Sequence, residues 1–234
     1  MGSVAKAIVL AAGRGKRMGA LTEELPKPML PLAGKPMIEH ILDRLREAGV
    51  TQVLLVTGYL AETIEAHLRG YPMDIAFVRQ QLIDGTAHAA LLGRDFAGGD
   101  SVLLTFGDII CDAADYRGIA SVTAAAVLGV KHVDDPWQGA AVYEQGGVAN
   151  RIIEKPPRGT STTNWNSAGL YAFEPSVFDY LEAVKPSPRG EYELTSAIAD
   201  MIAVGQTVLI YPVKGEWRDV GRPEDLPVAE DIVD

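Results

Sequence analysis

Arg14, Lys16 and Arg17 crowd around Gly13 and Gly15, and Lys27 stands a little further on between Pro26 and Pro28. Glycines let a backbone turn sharply and bring bare N–H groups close to a ligand. Arginine adds a planar fork suited to phosphate oxygens. The run from Lys6 to Leu10, apolar and rich in branched residues, reads as a buried strand leading into this loop. A strand that feeds a basic, glycine-bearing loop is a place to hold a polyphosphate.

Two common phosphate motifs do not fit. The dinucleotide fingerprint G-x-G-x-x-G fails at Met18, which disfavours a dinucleotide-dependent oxidoreductase, and G-x-x-x-x-G-K-[ST] is absent. A lone basic glycine loop is more often a solvated surface turn than a site. The residues just beyond the loop change that reading: Leu21-Thr22, then Pro26-Lys27-Pro28-Met29-Leu30-Pro31-Leu32. Joined to Leu10-Ala11-Ala12-Gly13, Gly15, Arg17 and Met18, this long motif resembles that of the sugar-1-phosphate nucleotidylyltransferases, of the glucose-1-phosphate thymidylyl- and uridylyltransferase type.

The resemblance implies roles along nearly the whole chain. Leu10, Ala11, Ala12, Gly13, Arg14 and Gly15 would line the nucleotide. Arg17 and the Gly13–Gly15 loop would hold the departing β- and γ-phosphates, and Lys27 would sit at the α-phosphate. Gly85-Thr86-Ala87-His88-Ala89 resembles the base-recognition segment, in which Gln80 would read the nucleobase edge with the Gly85 backbone close by. A glutamine amide offers donor and acceptor together, which suits a pyrimidine's adjacent carbonyl and N–H. On the bland reading, Gly85-Thr86 only starts a helix, with Thr86 as its N-cap.

Further along, Gly107-Asp108 and Trp217-Arg218-Asp219-Val220-Gly221-Arg222-Pro223 match the family's two Mg²⁺-binding carboxylates, at Asp108 and Asp219. A hard cation bridging phosphates wants carboxylate and keeps several waters, so few protein ligands are needed. Glu154-Lys155-Pro156 resembles a segment whose glutamate accepts sugar hydroxyls and whose lysine holds the sugar phosphate. Gly139 matches a glycine whose backbone approaches the sugar. Asn166-Ser167-Ala168-Gly169-Leu170-Tyr171 resembles a sugar-contacting strand; counting back two from Gly169 gives Ser167, with Asn166 beside it. Taken singly, Asp108 is a turn residue and Glu154-Lys155 a solvated strand end. Their order in the chain gives them weight.

Composition narrows the class. A net charge of −10 argues against a nucleic-acid or membrane-surface partner, which would show a basic face. Cys111 is the one cysteine, so no intrachain disulfide forms and a reducing cytoplasm is expected. It reads as a small core residue rather than a nucleophile. The four histidines, His40, His67, His88 and His132, make no metal-binding spacing with it. No apolar stretch is long enough for a membrane span, and Met1-Gly2 lacks the Ser or Thr at position 6 that acylation requires.

The scaffold under these groups is legible from periodicity. Met37, Ile38, Ile41, Leu42 and Leu45 recur at helical spacing up to a stop at Gly49. Strands are predicted over 53–57, 75–79 and 101–106, with a helix over 61–68 and another of about ten residues from Thr86. This alternation implies an α/β fold: a Rossmann-like mixed, mostly parallel central sheet with helices on both faces. Ligands of such sheets lie beyond the carboxyl ends of the strands. A hairpin turning at Gly146-Gly147 and a strand over 207–213 belong to the second half. One domain over 1–234 is expected, with a nucleotide-binding half over 1–122 and a sugar-phosphate half over 123–234. Gly190-Glu191-Tyr192-Glu193-Leu194-Thr195 resembles another family segment, with Ser196 where an aspartate is usual.

The implied reaction joins a nucleoside triphosphate, UTP or dTTP favoured, to a hexose 1-phosphate, with Mg²⁺, giving nucleoside diphosphate sugar and pyrophosphate. The substrates are the implied partners, and the resemblance leaves room for a homo-oligomer. Cytidylyl transfer to a phosphorylated alcohol, guanylyl transfer to mannose 1-phosphate, and a non-catalytic sugar-nucleotide sensor stand as alternatives. A sensor would tend to lose Arg17, Lys27, Asp108, Lys155 and Asp219; all five are present.

Overall fold

The computed structural model describes residues 4–233, so the Met1-Gly2 pair lies outside the described residues. Strands run, in chain order, β1 (Lys6–Leu10), β2 (Pro31–Leu32), β3 (Lys35–Pro36), β4 (Gln52–Thr57), β5 (Asp74–Arg79), β6 (Val102–Phe106) and β7 (Ile109–Cys111). They continue as β8 (Ala126–His132), β9 (Ala140–Gln145), β10 (Val148–Glu154), β11 (Trp165–Phe173), β12 (Val208–Pro212) and β13 (Trp217–Asp219). The helices are α1 (Met37–Glu47), α2 (Ala61–His67), α3 (Thr86–Leu91), α4 (Arg94–Ala97), α5 (Ala113–Ala120), α6 (Val177–Ala183), α7 (Leu194–Ala203) and α8 (Asp225–Val233).

Nine strands form one sheet in the order β5-β4-β1-β6-β11-β8-β12-β10-β9. The expected parallel character holds from β5 to β6 and again between β12 and β8. Elsewhere the neighbours are antiparallel: β11 with β6, β8 and β9, and β10 with β12 and β9. The sheet is therefore mixed rather than mostly parallel. The physical reason is connectivity: helical crossovers join the early strands in parallel, whereas the tight turn at Gly146-Gly147 obliges β9 and β10 to run antiparallel.

β1 shows why the core has two layers. Ala7 and Val9 pack into one apolar cluster with residues of α1, α2, α5 and α8. Ile8 and Leu10 point the other way, into a cluster with α3, α4, α6 and α7. A strand buried on both faces needs a continuous apolar run, and this one has it. In α1, Ile38, Ile41, Leu42 and Leu45 are all at or near zero exposure. Burying each contributes about 1.5–3 kcal/mol.

Two local expectations change. The helix from Thr86 ends at Leu91 and the short α4 follows from Arg94; at the intervening Gly93 a Cβ would run into Ile8 of β1 at 2.3 Å, so the glycine lets the chain pass close to the strand. Thr86 does not cap its own helix; its Oγ1 accepts the Leu194 N–H at 2.9 Å and ties α3 to the start of α7. Ser196 likewise falls inside α7 rather than at its cap.

Candidate active site

The carboxyl ends of β1 and β6, with the loop that follows β5, line a cleft of about 360 Å³, and the end of β4 lies beside β1. The Ala11 N–H donates to the Val56 carbonyl and the Gly107 N–H to the Leu10 carbonyl, each at 2.8 Å, so the three strand ends are held level. From β1 the chain turns at Gly15, whose φ of 63° lies in the left-handed region. A Cβ there would also press on the Cβ of Lys27 at 3.0 Å, so the glycine lets the lysine close on the loop. Leu10, Ala11, Ala12, Gly13, Gly15, Arg17, Lys27, Gln80, Gly85 and Thr86 all line this cleft. Of the loop residues singled out in the sequence, Arg14 alone is outside the lining. Its guanidinium lies over the ring of Tyr59, 4.9 Å from the centroid, and Lys16 lines the cleft instead.

A second cleft of about 230 Å³ adjoins the first and collects Gly139, Glu154, Lys155, Asn166 and Ser167. Arg17, Thr86, Phe106 and Asp108 line both. The edge of the second cleft is built at the end of β10. The Lys155 N–H donates to the Gly139 carbonyl at 2.7 Å, and Lys155 itself is held at φ 41°. A non-glycine residue in that region is strained, and such strain concentrates at functional sites. Glu154 accepts from Thr195 Oγ1 at 3.1 Å, with Arg189 Nη1 at 3.6 Å and Lys155 Nζ at 3.7 Å. Burial pushes its carboxyl up from the ordinary value, against the pull of these cations and the hydrogen bond.

Asn166 and Ser167 are not equivalent. Ser167 Oγ is within 2.8 Å of the Tyr171 hydroxyl, whereas Asn166 Oδ1 is buried with no protein partner. The Asn166 amide nitrogen donates to the Ser167 carbonyl at 2.7 Å, which fixes the orphaned oxygen on the side of Gly139.

The two aspartates meet at the junction of the clefts. β13 pairs with β7 so that Asp219 faces Ile109, and the Val220 N–H donates to the Asp108 carbonyl at 2.9 Å. Trp217 Nε1 donates to the Ala168 carbonyl at 2.8 Å and pins β13 against β11. Lys27, buried at 6% exposure, places its ammonium 2.5 Å from Asp108 Oδ2. Asp219 keeps contact with solvent inside the cleft, yet crowding by the surrounding protein, and then the charge of Asp108, push its carboxyl up to about 6. Lys27 and Arg17 offset only part of this. Two carboxylates held close at such a cost, with no third acidic, histidine or cysteine ligand among the described residues, fit a hard divalent cation that keeps its waters.

Sequence reasoning gave no site role to Asp84 or Arg189, and named His88, Tyr192 and Thr195 without a role of their own; Asp84 and Thr195 line the clefts, and the other three pack against cleft residues or one another. Gln80 and Asp84 lie in the loop that precedes α3, outside any helix, so their spacing carries no signal and only the fold brings them together with His88.

A basic loop bearing Gly13 and Gly15 at strand carboxyl ends, opening beside a second cleft across a carboxylate pair, is set on an α/β scaffold of the kind that holds ligands beyond its strand ends. The nucleotidyl transferase family model matches residues 6–233, and the chain belongs to that family. The resemblance read from the motifs therefore holds. It is 36% identical over 243 residues to the UTP–glucose-1-phosphate uridylyltransferase AglF of Haloferax volcanii, covering 96% of this chain and 95% of that one. It is 38% identical over 227 residues to the bifunctional protein GlmU of Methanococcus maripaludis, covering 94% of this chain and 52% of that protein. The chain thus spans between 52% and 66% of the length of several relatives that it matches. A solved UDP-glucose pyrophosphorylase complexed with UDP-glucose superposes with a TM-score of 0.89 at 23% identity, covering 97% of both chains, and so shares the fold. No helix among the described residues is long and apolar enough to cross a membrane.

Proposed function

We propose that the chain transfers a nucleotidyl group from UTP or dTTP to a hexose 1-phosphate, such as that of glucose or N-acetylglucosamine, and releases pyrophosphate. Relatives that act on sugar 1-phosphates support the class. The observation that carries the reading is the junction itself: Arg17 and Asp108 face both clefts, and Lys27 stands between the phosphate loop and the carboxylate pair.

A sugar phosphate is already anionic at neutral pH, so its oxygen needs no general base to attack the α-phosphorus. The bond to the β-phosphate breaks opposite, and the electron pair leaves with pyrophosphate. Positioning and charge neutralisation are then the work required of the protein. The Gly13–Gly15 loop and Arg17 would hold the departing phosphates, Lys27 the α-phosphate, and Lys155 the sugar phosphate. Glu154 would take sugar hydroxyls, with the unpartnered Asn166 oxygen beside it and Gly139 letting the sugar approach. Asp108 and Asp219 would hold Mg²⁺, which when bound neutralises charge on the reacting phosphates.

The test is pyrophosphate release with Mg²⁺, crossing UTP, dTTP, CTP, GTP and ATP against several hexose 1-phosphates. Release confined to a few pairs, and absent in Asp108→Ala, is expected. Folded protein silent with every pair would sink the sugar reading and turn attention to polyol or choline phosphates.

A further inference from the structure

Between β5 and α3 lies a chain of contacts that the proposed chemistry does not use. Gln80, only 7% exposed, lines the nucleotide cleft. Its Nε2 donates to the Gly85 carbonyl at 3.0 Å and to Asp84 Oδ1 at 3.3 Å. A backbone carbonyl and a carboxylate can only accept. Turning the amide over would set oxygen against oxygen at both partners. Both Nε2 protons are therefore committed, and Oε1 is the atom left to meet a ligand.

Asp84 is itself held firmly. Its Oδ2 lies 2.8 Å from His88 Nδ1, and the His88 ring stacks on Tyr192 with centroids 3.8 Å apart. The Tyr192 N–H donates to the Asp84 carbonyl at 2.9 Å, and the Tyr192 carbonyl accepts from the Ala87 N–H at 2.8 Å. The loop carrying Gln80 is thus clamped from the side of α7. Nothing in this arrangement gives the amide freedom to adapt to the base.

We propose that Asp84, with the Gly85 carbonyl, is a positioning residue that fixes the Gln80 amide oxygen toward the cleft, so that the site takes a pyrimidine with a ring N–H, uracil or thymine, and rejects cytosine. This rests on the proposed function in treating the cleft as the nucleotide site. Uracil and thymine present their ring N–H to Oε1. Cytosine has a lone pair at that ring position and must either face oxygen with nitrogen or shift to offer its exocyclic amine. A site left with a buried polar group unpaired discriminates strongly.

The test reads nucleotide binding alone. Calorimetry with UMP and CMP on the whole chain should show UMP at least tenfold tighter. In Asp84→Ala one Nε2 proton is released and the amide gains freedom, so the UMP-to-CMP ratio should fall about tenfold. Asp84→Asn, whose own amide oxygen can accept from Nε2, should keep the ratio. A merely structural role would instead weaken both nucleotides in parallel in Asp84→Ala, and that outcome overturns the proposal. Equal binding of UMP and CMP by the wild type also overturns it, even if Asp84→Ala fails to fold. Absence of turnover with every sugar phosphate would sink the proposed function and leave this comparison standing; binding of neither nucleotide would sink both.

Discussion

The Lys27 ammonium rests 2.5 Å from Asp108 Oδ2, a buried cation against a half-buried carboxylate at the foot of the Gly13–Gly15 loop. Removing either partner leaves the other uncompensated, which costs more than losing a surface pair. Lys27→Ala should lower pyrophosphate release roughly a hundredfold or more, the magnitude typical of one lost electrostatic contact to a transition state. Steady-state kinetics on protein shown to be folded by thermal denaturation would check it. A change confined to KM would mean that Lys27 serves binding rather than the reacting phosphate.

Arg14 and Arg17 sit in the same loop but have different surroundings. Arg17 faces both clefts, whereas Arg14 lies over Tyr59 and outside the lining. Arg17→Ala should therefore lose about a hundredfold in kcat. Arg14→Ala should lose less than tenfold. Equal losses would show that the loop rearranges around the nucleotide.

Asp108 and Asp219 repel one another, and a divalent cation should relieve that repulsion. Mg²⁺ is accordingly expected to raise the wild-type Tm, by mass action on the folded state. Chelation should return it. Asp219→Asn should abolish most of the gain. Thermal scans at fixed pH with and without the metal would measure this, and an unchanged gain in the variant would remove Asp219 from the site.

His40 gives the pH dependence. It is buried at 6% exposure and its Nε2 donates to the Leu32 carbonyl at 2.9 Å. Burial, the largest cause, lowers its pKa from 6.5. The folded state thus binds the proton less readily than the unfolded state does. The stabilisation is present above about pH 6.5 and is lost as pH falls through the lowered folded value. The raised carboxyl of Asp219 acts in the opposite sense over the same range, so the His40 contribution is read as a difference. Between pH 7.5 and pH 5 the Tm of His40→Gln, which keeps a donor without titrating, should rise relative to that of the wild type.

Gly85 takes φ 149°, and a Cβ there would come within 2.1 Å of the Tyr192 carbonyl oxygen. Backbone on both sides leaves little room to give. Gly85→Ala should cost on the order of 2 kcal/mol or more, lowering Tm by roughly 4–8 °C in a chain of this size. Weaker nucleotide binding should accompany it, since the same backbone holds Gln80. Calorimetry would read both.

The features that the residues determine by themselves are local or carried by motif. The apolar run of β1, the helical spacing of α1 and the turn at Gly146-Gly147 reflect near-neighbour chemistry, so periodicity and glycine placement expose them. The long run from Leu10 to Leu32 carried the family, and with it Arg17, Lys27, Asp108, Lys155 and Asp219 as residues to look for. Which side chains meet is settled in three dimensions. β12 enters between β8 and β10, and β11 between β6 and β8, because sheet order is set by which apolar faces can be covered together, not by order along the chain. Asp219 reaches Asp108 through the short pairing of β13 with β7, a contact with no trace in either motif. Thr86 gives its oxygen to the α7 backbone rather than to its own helix, and Gln80 turns its amide to suit Asp84 and Gly85. A side chain's partner depends on what the fold brings within about 3 Å, and local sequence holds no record of that distance.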